Sequence, residues 1–125
     1  MTLARVLVVE DEFLVGSMVR SALERADFEV VGPVESCAQA HAMLDRGDID
    51  FVTLDLTLRN AELSVPVARR LEALGVPYLL VTGNLGHAVA EEHGISPSKI
   101  LDKPFSIKDL IRSAQEMLSA EDKTA

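Results

Sequence analysis

A chain of 125 residues has room for one hydrophobic core but not for two, and 48% hydrophobic with 26% charged residues suits one folded domain. A net charge of −8 repels phosphate backbones, which argues against direct nucleic-acid binding, and one Tyr with no Trp leaves little surface for stacking bases or flavins. No run approaches the ~18 apolar residues of a membrane span, no basic start leads into an apolar signal core, and the lone Cys37 can form no internal disulfide. The expectation is a cytoplasmic chain, away from membranes, with Cys37 as a packing residue.

The first strand is expected over "LARVLVV" (3–9), a short β-branched run of the kind buried on both faces of a parallel sheet. Val15, Met18, Val19, Ala22, Leu23 and Ala26 then fall on one helical face. "FEVVG" (28–32) predicts a second strand that ends at Gly32-Pro33. Ser36 is placed to cap a second helix, with Ala40, Met43 and Leu44 on its apolar face and Gly47 as its stop. "DFVTLDL" (50–56) reads as the third strand, and Val67, Ala68, Leu71 and Leu74 as a third helix closed by Gly75. "PYLLVT" (77–82) is the fourth strand, followed by a short, weakly apolar helix over 86–93. "KILDK" (99–103) predicts the fifth. Ser106 and Asp109 form an S-x-x-D variant of the capping box. Behind them Ile107, Leu110, Ile111, Ala114, Met117 and Leu118 make the clearest amphipathic helix in the chain, and "EDKTA" (121–125) reads as a short polar tail.

Alternating strands and helices of these lengths imply an α/β fold, a doubly wound five-stranded parallel sheet with helices on both faces. Ligands of such sheets bind at the edge where the strands' C-termini gather. The candidates are therefore the residues that follow each strand. The first strand ends in Glu10-Asp11-Glu12, the third in Asp55, the fourth in Thr82 and the fifth in Lys103, while the second offers nothing on this reading.

Carboxylates packed together repel one another, and bind a proton or a cation to relieve it. Two unit charges ~4 Å apart at an effective dielectric of ~20 interact by about 4 kcal/mol. Oxygen-only ligands suit Mg²⁺, which keeps several waters and uses one or two carboxylates plus phosphate oxygens. With Lys103 and Thr82 facing a carboxylate, the set has what phosphoryl transfer onto that carboxylate needs: a nucleophile, and positive charge for the developing oxyanions. Each residue also has a plainer reading. Glu10 to Glu12 would suit a helix start, Asp55 and Thr82 would suit turns, and Lys103 would suit an exposed surface. All four plain readings have to hold together to dismiss the site.

Taken in order, "VLVVEDE", "VTLDLTL", "LLVTG" and "LDKPF" resemble the receiver domain of two-component response regulators, and the resemblance covers almost the whole chain. It implies a flavodoxin-like sheet of order 2-1-3-4-5 and a receiver unit over 1–120. It implies phosphorylation of Asp55 by a histidine kinase or a small phosphodonor, with Mg²⁺ held by Asp11, Asp55, the Thr57 carbonyl and Glu10 through water. Lys103 would pair with a phosphoryl oxygen, Thr82 would hydrogen-bond another, and a cis peptide would precede Pro104. The output would be a downstream protein target, bound on the face of the fourth helix, fifth strand and fifth helix.

Two departures from that pattern matter. Ile100 stands at the switch position where most receivers carry Tyr or Phe, and "TLRNAELSVPVARRL" replaces the usual loop of Pro and Asp-Gly after the acceptor. This loop and "PYLLVTGN" resemble an atypical class of short, stand-alone receivers, some of which work with histidine kinases of the HWE type. Gly83 is expected to leave the phosphoryl site open to small donors. His41, His87 and His93 lack metal-ligand spacing, and His87 and His93, which flank the fourth helix, read as surface residues. The alternative kept beside this one is a pseudo-receiver, a binding module that is never phosphorylated. A phosphatase of the haloacid dehalogenase type would need D-x-D after the first strand, which "EDEF" does not supply.

Overall fold

The computed structural model describes residues 3–83, 86–95 and 100–124. Five strands, β1 (Arg5–Val9), β2 (Glu29–Val34), β3 (Phe51–Asp55), β4 (Tyr78–Thr82) and β5 (Ile100–Asp102), form one parallel sheet in the order β2-β1-β3-β4-β5. Helices α1 (Phe13–Arg25), α2 (Cys37–Arg46), α3 (Val65–Leu74), α4 (Gly86–Glu92) and α5 (Ile107–Thr124) connect and follow them, with a 3-10 turn at Arg59–Ala61. The strand order is the one that the resemblance implied.

Side chains alternate across a strand, and here the alternation sorts the core into two layers. Leu7, Val9, Val52, Leu54, Tyr78 and Leu80 point to one face, where Ala40, Leu44, Val67, Ala68, Leu71 and Ala90 cover them from α2, α3 and α4. Val6, Val8, Phe51, Leu79 and Val81 point to the other, beneath Val19 and Leu23 of α1 and Leu110 and Ala114 of α5. Both faces being covered explains why the strands read as unbroken apolar runs.

The expected caps form. Ser36 Oγ accepts from the Gln39 N–H at 3.1 Å, and Ser106 Oγ accepts from the Asp109 N–H at 3.0 Å. Cys37 is buried at the start of α2, and burial, with Glu62 nearby, pushes its thiol up to about 11. It is a packing residue with an inert sulfur. Tyr78 is fully buried at the far end of β4 and donates its hydroxyl to the Glu72 carboxylate. His87 is exposed as expected, but His93, just past the fourth helix, is half-buried, and His41 is half-buried beside Arg70, whose guanidinium donates to its carbonyl at 3.2 Å.

Three boundaries differ from the sequence reading by two residues or more. β1 starts at Arg5 rather than at residue 3, because the Arg5 N–H turns to the Asp50 carboxylate at 2.7 Å and Leu3 is exposed. α5 continues to Thr124, so residues 121–124 are helical where composition suggested a tail. β2 does not stop at Gly32-Pro33 but runs through a cis peptide there to Val34, with a bulge between Leu7 and Val9 of its neighbour. An edge strand tolerates proline, since its outer side makes no ladder bonds. Gly32 has φ +96, and a Cβ there would meet the Val8 carbonyl oxygen at 2.7 Å, so only glycine passes. This extension matters to the site: the Val34 carbonyl accepts from the Glu10 N–H at 2.9 Å, so β2 does help to place Glu10. Residue 99 of the expected fifth strand and residues 84–85 after Gly83 lie outside the described residues. Among the described residues no helix is long and apolar enough to cross a membrane.

Candidate functional site

The ends of β1, β3, β4 and β5 meet at one edge of the sheet. Register puts Leu54 opposite Val9, Asp55 opposite Val81, and Thr82 opposite Asp102. Glu10 follows β1 directly, and Asp55 closes β3. Both are buried, at 5% and 7% exposure. Lys103 follows β5, and its backbone N–H donates to the Thr82 carbonyl at 2.7 Å. That bond aims the side chain inward, where Nζ lies 3.1 Å from Glu10 Oε1 and 3.2 Å from Asp55 Oδ2. Pro104 follows through a cis peptide, and Phe105 packs into the α1/α5 layer, anchoring the turn on the far side. Glu12, not Glu10, occupies the N-cap position of α1, and it makes no side-chain cap bond. The plain readings of Glu10 as a cap and Lys103 as a solvated lysine therefore do not describe these side chains.

Asp11 completes the acid group. Glu10, Asp11 and Asp55 each offer an oxygen within 4.8 Å of the others, and they are the acids among the described residues grouped closely enough to share an ion. An all-carboxylate set of this spacing, open to water at Asp11, fits a hard divalent cation such as Mg²⁺. Thr57 is exposed, and its backbone is held by a bridge to Leu63.

The response regulator receiver domain model matches residues 6–115 of the chain. The chain belongs to that family. It is 28% identical over 119 residues to the phosphate regulon transcriptional regulatory protein PhoB of Pseudomonas aeruginosa, a match that covers 90% of this chain and 51% of PhoB. The chain thus spans about half the length of that curated relative. Among solved structures, a response regulator receiver protein from Sinorhizobium medicae superposes with a TM-score of 0.84 at 30% identity, covering 95% of this chain and 97% of that one. SdrG from Sphingomonas melonis superposes at 0.77 with 34% identity, covering 97% and 98%.

In this receiver, the surroundings of Glu10 shift its ionisation. Burial above the apolar floor of Val8, Val19, Val81, Phe105 and Leu110, then the neighbouring Asp55, pushes Glu10 up to about 7, against the opposing pull of Lys103. The Lys103 amine would be lowered by burial, but Asp55 and Glu10 hold it above its ordinary value. Because the folded value for Glu10 lies above its ordinary 4.5, its contribution to stability is whole below about 4.5 and is lost as pH rises through about 7. Without a divalent cation, the difference in unfolding free energy between wild type and Glu10→Gln should move against wild type across that window. Urea titrations at several pH values check this, and adding Mg²⁺ above the window should reverse the trend. A difference that stays flat with pH would show that Glu10 ionises normally.

Two switch positions behave unlike an exposed loop. Thr82 is 4% exposed, and its side chain occupies the space where a Cβ of Gly86 would sit: such a carbon would lie 1.8 Å from Thr82 Oγ1. The first residue of α4 therefore rests directly on the Thr82 hydroxyl. Ile100 packs against the α2/α3/α4 layer, and His87 of α4 meets Asp102 of β5 at 2.6 Å. Gly86→Ala should overpack this contact and cost roughly 1–3 kcal/mol. Gly83→Ala, with nothing within 4 Å of its added carbon, should change stability by less than about 0.5 kcal/mol. Equal urea midpoints for the two variants would contradict the contact.

Sequence reasoning did not find Ser64 or Arg59. Ser64 sits at the N-cap position of α3, yet its buried hydroxyl makes no cap bond. It donates instead to the carbonyls of Asp55 and Leu56, at 2.7 and 3.2 Å, clamping the backbone at the end of β3. A Ser before Val-Pro reads as a cap, so no local signal distinguished the two roles. Arg59 follows from a turn geometry that no local pattern encodes.

Proposed function

We propose that this receiver accepts a phosphoryl group on Asp55 in a Mg²⁺-dependent reaction, from a histidine kinase or a small phosphodonor, and signals by phosphorylation-dependent protein binding. The observation that carries this reading is the Lys103 amine within 3.2 Å of both buried carboxylates, Glu10 and Asp55. In the reaction an Asp55 carboxylate oxygen attacks phosphorus, and the donor's bond to phosphorus breaks with its electron pair leaving on the donor group. The product is an acyl phosphate on Asp55. Asp11, Asp55, the Thr57 carbonyl and Glu10 through water would hold Mg²⁺, which when bound neutralises charge on the phosphoryl oxygens. Lys103 exchanges a carboxylate partner for a phosphoryl oxygen, and Thr82 donates its hydroxyl to another.

Output would run through Thr82 to α4 and from there to the face of α4, β5 and α5, where a downstream protein binds. Ile100 offers no aromatic ring to swing, so the steric contact of Thr82 with Gly86 carries the change. The loop after Asp55 and "PYLLVTGN" place the chain with the atypical class of short receivers, and a kinase of the HWE type belongs to the same reading. The net charge of −8 favours a protein target over nucleic acid, and a cytoplasmic setting fits a kinase partner.

The second reading, a pseudo-receiver that binds partners without phosphate, draws on Ile100 and the unusual loop after Asp55. Incubation with acetyl phosphate and Mg²⁺ separates the two. A hydroxylamine-sensitive label on Asp55 supports the first. Magnesium binding with no label under any donor would favour the second.

A further inference from the structure

We propose that Arg59 is a specificity-determining residue at the mouth of the site, favouring strongly anionic phosphodonors and guiding them toward Asp55. This rests on Asp55 being the phosphoryl acceptor. Three carboxylates face one lysine in the site, and the chain as a whole carries −8, so an approaching phosphoryl dianion is repelled. Arg59 sets a positive charge at the rim. Its Nη2 donates to the Asp11 carbonyl at 3.3 Å, and its Nη1 lies 4.0 Å from the Glu35 carboxylate. These contacts engage two of the guanidinium's nitrogens, and the side chain is 63% exposed, which leaves N–H donors for an incoming anion.

The loop that carries Arg59 is built to hold it there. Asn60 and Ala61 both take left-handed φ, 62 and 59, a costly conformation for an alanine. The turn persists because bonds on either side enforce it. The Leu58 N–H donates to the Glu62 carbonyl at 2.7 Å, Thr57 bridges Leu63, and the Glu62 carboxylate accepts from the Cys37 N–H at 3.1 Å. This is the stretch in which the chain departs from the receiver pattern. A mere staple between loops would need stronger contacts: a long bond and a 4.0 Å ion pair on an exposed side chain stabilise a fold very little. Its charge acts on donors more than on folding.

The test compares wild type, Arg59→Gln and Arg59→Lys at saturating Mg²⁺. The second-order rate of Asp55 labelling is measured with acetyl phosphate, a dianion, and with phosphoramidate, a net monoanion. Arg59→Gln should slow labelling by acetyl phosphate about two- to fivefold at low salt, with a smaller effect on phosphoramidate. Arg59→Lys should recover most of the rate. The difference should vanish near 1 M salt, where screening shortens to about 3 Å. Equal slowing with both donors at every salt concentration, or no slowing at all, overturns the proposal while leaving Asp55 as acceptor. No label on wild type with either donor removes the phosphoryl-acceptor reading, and this proposal falls with it.

Discussion

Asp55→Asn is expected to abolish the hydroxylamine-sensitive phosphoryl label that acetyl phosphate and Mg²⁺ place on wild type. An amide oxygen is too weak a nucleophile to displace the donor group, and no other carboxylate stands in the same position. Glu10 is also buried, but its carboxyl, pushed up to about 7 by burial and by Asp55, is only partly ionised near neutral pH. Asp11 is more exposed and follows β1 rather than closing a strand. The same substitution replaces one of the three carboxylates of the acid group with a neutral amide. Magnesium affinity should fall at least as far as the roughly 10–100-fold typical of losing a ligand's supporting partner. Mass spectrometry of the intact chain and a magnesium titration followed by amide shifts read the two effects separately. If wild type and Asp55→Asn carry equal label, Asp55 is not the acceptor. If neither binds magnesium, the acid group is not a cation site.

Lys103→Ala should separate accepting phosphate from responding to it. The amine holds Glu10 and Asp55 while the site is unphosphorylated, at 3.1 and 3.2 Å, and its backbone N–H is bonded to the Thr82 carbonyl. A phosphoryl group on Asp55 would draw that amine to a new partner, and the pull would reach Thr82 and Gly86. Without the amine, labelling should persist while the amide shifts of α4 no longer respond to phosphate. Removing one partner of a fully buried ion pair costs about 3–5 kcal/mol. The Lys103 side chain is 25% exposed, so the loss here should fall below that range. The sign of two further effects is fixed by charge. Lys103 lowers the Glu10 value, so its removal should push that carboxyl above about 7. Magnesium should bind more tightly, because the cation no longer competes with an ammonium for the same oxygens. If α4 responded to phosphate in Lys103→Ala as it does in wild type, the amine would not be the reader of the charge.

Much of this was legible in the chain because the informative patterns are local. Apolar runs such as "RVLVV" and "YLLVT" mark strands buried on both sides, and Ser36 and Ser106 announce the helices that they cap. The sheet edge then follows from topology, and with it the residues worth examining. Where local cues were ambiguous the reading slipped. Gly32-Pro33 looks like the end of a strand, and only an edge position lets β2 continue through it. Ser64 looks like a cap, and only the fold turns its hydroxyl back on the Asp55 carbonyl.

The amino-acid order by itself determined the alternation of strand and helix, the two-layered core, and the chemical groups that stand after each strand: acids at 10, 11 and 55, a hydroxyl at 82 and an amine at 103. Each of these depends on neighbours within a few positions. Tertiary structure alone decided that an amine at 103 touches an acid 93 positions earlier, that burial pushes the Glu10 carboxyl up, that Thr82 fills the space beside Gly86, and that a strained turn brings Arg59 to Asp11. Those are distances across strands, set by sheet register and close packing, and no periodicity along one segment encodes them.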